Sequence, residues 1–268
     1  MIFSLITNEP HLAKAAESAG IQRIMVDLET RGKALRQAGH NLFLSSHCLA
    51  DIAVIKQSIT TSQLVVRINP LHGQSGAEIE QVIDAGADYI MLPFFQTGDQ
   101  VSEFHALVAA RVGTILLVET GQAVAKLDEI LGRSGCDEIH IGLNDLSLSL
   151  GRSSIFELFR DGTIESIASI LLAHGKPFGI GGVGALRRTD LQVSPLAFFI
   201  EQIRLGASRG WLGRSFRDVA AAGVGLDEQV NDLFTTCDCW TNADPAALQR
   251  NHSQLIQQIE ALPAQFRA

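Results

Sequence analysis

Eight short apolar runs, each followed by a stretch with helical spacing, limit what this chain can become. The runs are IFSLI (2–6), RIMVDLE (23–29), LVVRIN (64–69), DYIMLP (88–93), TILLVE (114–119), EIHIGL (138–143), KPFGIGG (176–182) and GWLGRS (210–215), of which the first and last are the weaker. Several are apolar almost throughout, as parallel strands covered on both faces are. The spacers read as helices. In SGAEIEQVIDAGADYIML, Ser75 and Glu78 stand at capping-box spacing. Ile79, Val82 and Ile83 form an apolar face, and Gly86 sits where a helix end favours a left-handed residue. GQAVAKLDEILGRSG repeats the arrangement, with Val124, Leu127 and Leu131 inward and Gly132 at the end. Eight such units predict a (β/α)8 barrel, with an open doubly wound sheet as the alternative.

The barrel is expected over residues 1–225, and a C-terminal helical extension over 226–268. In the extension, NADPAALQRNHSQLIQQIEAL offers Asp244 as an N-cap and Pro245 at the first helical position. This helix packs on the barrel or on a neighbouring subunit. A length of 268 residues with 46% hydrophobic content suits one large domain with such an appendage. The formal net charge of −8, with no Lys/Arg run, argues against nucleic-acid and anionic-membrane partners. No apolar run is long enough to span a bilayer. The N-terminus reads as a first strand and helix rather than a leader. Cys48, Cys136, Cys237 and Cys239 show no zinc spacing and no disulfide framework, as expected of a cytoplasmic protein.

In a barrel, chemistry collects at the C-terminal ends of the strands. Asp27 and Glu29 end the second run, Arg67 and Asn69 the third, and Glu119 the fifth. Asp145 follows the sixth, and Gly181 and Gly182 close the seventh. Each alone reads equally as a turn or cap residue, Asp145 included, with Ser147 as a further cap. Together the carboxylates would repel one another unless something positive sat among them. A divalent cation beside Arg67 answers that need, with Glu119 and Asp145 as hard oxygen ligands. The donor set favours Mg2+, or Mn2+ or another divalent cation, over zinc. Such a centre suits a chelating small-molecule oxo acid, whose developing enolate charge the metal and Arg67 would stabilise. Backbone N–H groups of Thr120, Gly121 and Gln122 are candidates for the substrate carboxylate. The glycines Gly181 and Gly182 allow backbone to close on a ligand.

Other features carry less. The five lysines, Lys14, Lys33, Lys56, Lys126 and Lys176, do not fall within a strand near its C-terminal end, which disfavours a Schiff base. GIGGVG (179–184) lacks the acidic partner of a dinucleotide fingerprint. His140 alternates with apolar neighbours and reads as a packed, hydrogen-bonded residue. His47 follows a strand-like segment, LFLSS, and is a candidate acid or base at the mouth. Lys33 and Arg36 read as solvated residues or as partners of Asp27 and Glu29.

MVDLE, VVRIN, GADYIMLP, VET and IGLNDLSLSLG occur in an order and spacing that resemble the 4-hydroxy-2-oxo-acid aldolases and citrate lyase beta subunits. These are pyruvate/phosphoenolpyruvate-type barrels, and the resemblance covers roughly residues 20 to 215. It implies a modified (β/α)8 barrel, a divalent metal, usually magnesium, and making or breaking a carbon–carbon bond beside an enolised oxo acid or thioester. It also implies a homo-oligomer, commonly a trimer or hexamer. Position by position, Glu119 and Asp145 match the metal ligands, and Arg67 matches the arginine on substrate and enolate oxygen. Asp27 and Glu29 match the acidic pair that helps place water or a base. The aldolase branch carries a histidine where this chain has Thr30, and His47 is the candidate to replace it. The citrate-lyase branch carries D-L-E-D followed by a lysine and an arginine. Here DLETRGKALR keeps D-L-E, Lys33 and Arg36 but lacks the second aspartate. The chain therefore resembles a citrate-lyase-like side branch. The leading expectation is a metal-dependent lyase acting on a hydroxy-oxo acid. Alternatives are a citryl- or malyl-CoA-type lyase, with Arg187 and Arg188 on the CoA phosphates, and a barrel that binds a small acid without turnover.

Overall fold

Each apolar run becomes a strand because it can bury both faces, one in the lumen of a barrel and one beneath a helix. The computed structural model describes residues 1–32, 46–216 and 225–262. Lys33, Arg36 and residues 42–45 of the strand-like segment before His47 lie outside them. The strands are β1 (Ile2–Ile6), β2 (Arg23–Asp27), β3 (Gln63–Arg67), β4 (Tyr89–Leu92), β5 (Gly113–Val118), β6 (Glu138–Ile141), β7 (Phe178–Val183) and β8 (Arg209–Leu212). All pair in parallel in sequence order, and β8 closes on β1. The barrel expectation is borne out at every strand, with some ends moved by a few residues in either direction.

The described helices are α1 (Pro10–Ser18), α2 (Leu49–Ser58), α3 (Ser75–Asp84), α4 (Gly98–Val108), α5 (Gly121–Ala125), α6 (Leu127–Arg133), α7 (Leu143–Ser149), α8 (Glu157–Arg160), α9 (Thr163–Ala173), α10 (Pro195–Arg204), α11 (Leu226–Thr241) and α12 (Pro245–Glu260). Two local expectations change. The Ser75–Glu78 capping box does not form. Ser75 is already inside α3, and Glu78 turns back to accept from the backbone and side-chain N–H of Asn69 (3.1 and 2.8 Å). The helix after β5 breaks at Lys126 into α5 and α6, with Gly132 inside α6 rather than ending it. Asp244 caps α12 as its spacing predicts, accepting from Ala246 N–H at 3.1 Å. Helix α12 packs on α10 and α8 of its own chain, and α11 packs on α10 and α1. No helix among the described residues is long and apolar enough to cross a membrane.

The lumen is filled in layers from alternate strands. Arg23, Tyr89, Glu138 and Arg209 of the even strands form the lowest. Arg23 grips Glu138 with two hydrogen bonds (2.6 and 2.8 Å) and lies over the Tyr89 ring, while Arg209 reaches the same carboxylate (3.1 Å). Ser4, Val65, Ile115 and Gly179 of the odd strands come next by register. Met25, Met91, His140 and Trp211 follow, and above them lie Ile6, Arg67, Leu117 and Gly181. A bulge between Gly179 and Gly182 re-aims the end of β7. Gly181 has φ +50°, and a Cβ there would meet Leu143 Cδ1 at 2.3 Å. Gly181→Ala is therefore expected to cost about 1–3 kcal/mol by overpacking, measured by urea unfolding. An unchanged midpoint would show that Leu143 yields freely.

Candidate active site

The strand ends bring four acidic side chains and one guanidinium to the barrel mouth. Asp27, the last residue of β2, receives Arg67 from β3 in a two-point contact, Nε to Oδ1 at 2.8 Å and Nη2 to Oδ2 at 2.6 Å. Arg67 Nη1 lies 3.4 Å from Glu29 Oε2. All three side chains are buried. Burial works against the charge on Arg67, but Asp27, Glu29 and Glu119 outweigh it and hold its pKa above the ordinary arginine value. Asp27 N–H donates to His47 Nδ1 at 3.0 Å. His47 thus sits behind the acidic strand end, and when neutral it carries its proton on Nε2.

Glu119 follows β5. Its Oε1 accepts the Phe94 N–H at 2.9 Å, and Phe94 adopts φ 52° to present it. Its Oε2 lies against Gly142, where a Cβ would stand 2.6 Å away, so glycine is required there. Gly142 is the N-cap of α7, and Asp145 is a buried residue in the first turn of that helix. The cap position is therefore not Asp145. Ser147 lies within the helix and donates to the Asn144 carbonyl at 2.8 Å. Burial drives the Glu119 carboxyl pKa well above the usual range, and Glu29 and Asp145 push it the same way. Arg67 and the Phe94 N–H pull against them without prevailing.

The other expected residues are placed as follows. Thr120 caps α5, accepting from Ala123 N–H at 3.1 Å and donating to the Phe95 carbonyl at 2.8 Å. Gly121 N–H is taken by Ser149 Oγ at 2.9 Å, and Gln122 is exposed. Gly181 offers its carbonyl to His140 Nε2 at 2.9 Å, whereas Gly182 is exposed, with nothing closer than 3.9 Å to a Cβ placed on it. Burial lowers the His140 pKa to about 4, so the ring is neutral, in line with its reading as a packed residue. Arg187 turns to α11 and pairs with Asp232 (2.6 and 2.8 Å) and Glu228, while Arg188 pairs with Asp190 at 2.9 Å. Lys56 is held by Asp88, and Lys176 by the Cys136 carbonyl. Among the described residues, no group of three or more His, Cys, Asp or Glu side chains is placed to hold a metal.

Sequence reasoning missed four contributors: Phe94, Gly142, Trp211 and the role of Asn69. Asn69 Oδ1 accepts from the N–H of Thr30 and of Arg31, each at 3.0 Å, and so ties down the chain just past Glu29. An asparagine two residues beyond the arginine was the available signal.

Residues 1–189 match the HpcH/HpaI aldolase/citrate lyase family. A 2-keto-3-deoxy-L-rhamnonate aldolase of Shigella boydii serotype 4 (strain Sb227) is 28% identical over 177 residues, 55% of this chain and 61% of that protein. A 4-hydroxy-4-methyl-2-oxoglutarate aldolase of Hapsidospora irregularis is 24% identical over 212 residues, 67% of this chain and 73% of that protein. The chain thus spans about three-fifths of the first relative's length. A solved HpcH/HpaI aldolase/citrate lyase family protein from Burkholderia cenocepacia J2315 superposes with a TM-score of 0.60 at 18% identity, covering 97% of this chain and 95% of that one. That likeness shows the shared fold, and the match over residues 1–189 shows the kinship: the chain belongs to the HpcH/HpaI aldolase/citrate lyase family.

Proposed function

We propose that the protein is a divalent-metal-dependent carbon–carbon lyase that cleaves or forms a hydroxy-oxo acid through a pyruvate-type enolate. The observation that carries this reading is Glu119, a carboxyl buried beside Asp145 and Glu29 whose ionisation Arg67 does not fully support. Two hard oxygen donors whose charges burden one another fit magnesium or manganese, with water and substrate oxygens completing the shell. Held by Glu119 and Asp145, such a cation would supply Lewis-acid stabilisation of charge on the oxo oxygen. The relatives named as aldolases of oxo acids support the same class.

The chain's own residues take the remaining tasks. Arg67, locked by Asp27, meets the enolate charge as a preorganised donor that needs no rearrangement during reaction. Glu29 and Asp27 fix the guanidinium in position. His47 is the candidate acid/base, and any proton it moves travels on Nε2, because Nδ1 is engaged by Asp27 N–H. Substrate backbone contacts are assigned to Gly182 and, at the α5 entrance, to Thr120 and Gln122, because Ser149 already takes the Gly121 N–H. A CoA-thioester reading receives less support, because Arg187 faces α11 carboxylates rather than an open groove.

Incubation with pyruvate in heavy water, with and without magnesium, tests the proposal. The methyl protons are expected to exchange with deuterium only when metal is present, and EDTA should stop the exchange. Exchange indifferent to EDTA would overturn the metal–enolate reading. Absence of exchange under every divalent metal tried would overturn the lyase itself.

A further inference from the structure

The lumen layer beneath Arg67 contains an aromatic pair that the proposed chemistry leaves unassigned. The Trp211 indole lies parallel to the His140 ring, centroids 3.9 Å apart and 10° from coplanar. The Arg67 guanidinium carbon stands 5.6 Å from the indole centroid. Below Trp211, the layer of Ser4, Val65, Ile115 and Gly179 is buried, and under it the Arg23–Glu138 pair is buried too. Trp211 is nevertheless only half-buried, so its exposed surface faces the mouth. Gly182, its partner across the β7–β8 pair, is exposed on the same approach. An apolar ring therefore lies beneath the Arg67 guanidinium, which Asp27 and Glu29 hold at the mouth.

We infer that Trp211 is the surface against which carbon 3 of the oxo acid rests, and that it sets how large a substituent that carbon can carry. The inference rests on the proposed function and adds to it the residue that selects the nucleophile half of the substrate. Carboxylate and oxo oxygens take the charged wall, which leaves the apolar carbon for the apolar floor. The acceptor aldehyde then approaches from the mouth, on the opposite side of that carbon. The floor is rigid. The His140 ring that backs the indole is pinned by its bond to the Gly181 carbonyl. Its Nδ1 also lies 2.5 Å from where a Cβ on Gly179 would be. Arg67 over the π face adds a cation–π contact. A methyl group is accommodated, and one further carbon meets the ring.

The test compares exchange of the carbon-3 protons of pyruvate and of 2-oxobutanoate in heavy water with magnesium, for the parent protein, Trp211→Phe and Trp211→Ala. Trp211→Ala is expected to shift the ratio toward 2-oxobutanoate by about tenfold or more, the usual worth of one carbon in a fitted pocket, with Trp211→Phe between. If Trp211→Ala fails to fold, as thermal unfolding will show, Trp211→Phe carries the comparison. A second readout needs no turnover. The chain has two tryptophans, so Trp240→Phe on α11 leaves Trp211 as the sole indole emitter, and pyruvate should change its emission. Pyruvate exchange with an unmoved substrate ratio, or with unmoved emission, overturns the inference and leaves the lyase standing. An emission change without any exchange supports the floor and overturns the lyase. Neither signal overturns both.

Discussion

Arg67→Lys is expected to slow metal-dependent proton exchange of pyruvate by about 10²–10³-fold, the usual loss when a preorganised donor to a developing oxyanion is removed. The reason is geometric. Arg67 spends Nε and Nη2 on the two oxygens of Asp27 and still turns Nη1 toward Glu29. A lysine ammonium gathers its donors on a single nitrogen and cannot span Asp27 and Glu29 from separate nitrogens as the planar guanidinium fork does. Charge is conserved, so the fold should survive. Arg67→Met, by contrast, leaves Asp27 and Glu29 buried without their guanidinium and should cost about 3–5 kcal/mol of stability. Exchange rates by NMR and urea unfolding of both variants check this. Wild-type exchange in Arg67→Lys would remove Arg67 from the chemistry.

Glu119→Gln should abolish exchange and, in EDTA, make the protein more stable. The amide keeps an oxygen for the Phe94 N–H and discards the charge that burial, Glu29 and Asp145 disfavour. Relief of about 1 kcal/mol would raise Tm by roughly 2–4 °C in a chain of this size. Magnesium should raise the Tm of the parent by binding only the folded state, and should leave Glu119→Gln unmoved. Asp145→Asn should lose the same response. The pH dependence follows from the direction of the shift. A carboxyl whose folded pKa lies above its unfolded one takes up protons on folding. Metal-free stability is therefore greatest on the acid side and falls as pH rises from the ordinary carboxylate range through the raised value. That slope should flatten in Glu119→Gln. A variant less stable than the parent in EDTA would show that Glu119 is well accommodated as an anion and would weaken the case for a cation.

The strands were legible because burial on both faces leaves a continuous apolar run, which does not depend on what lies across the barrel. Arg67, Glu119 and Asp145 were legible for a related reason: a charge at the end of such a run, or within a turn of it, has the mouth as its natural destination. What escaped was set by partners distant in sequence. Glu78 has the spacing of a capping residue, but Asn69 and His72 compete for its carboxylate and win it. Arg187 and Arg188 look like a phosphate-binding pair until α11 brings Asp232 and Glu228 against the first of them. Trp211 sits in the weakest strand signal, and its meaning comes from His140, 71 positions earlier, through a stack that leaves no local trace. Phe94 is hidden because its contribution is a backbone N–H, which any residue type except proline could supply.

The lowest layer, in which Arg23 and Arg209 close on Glu138 beside Tyr89, turns the lumen into a blind well. Nothing enters from beneath, so reactants and products share one doorway. Under the proposed aldol chemistry, whatever rests deepest, against Trp211, must arrive first and depart last. The oxo acid is thus the leading reactant in condensation and the trailing product in cleavage. In steady-state kinetics that order would make pyruvate compete with the hydroxy-oxo acid for the empty protein, whereas the aldehyde would inhibit noncompetitively.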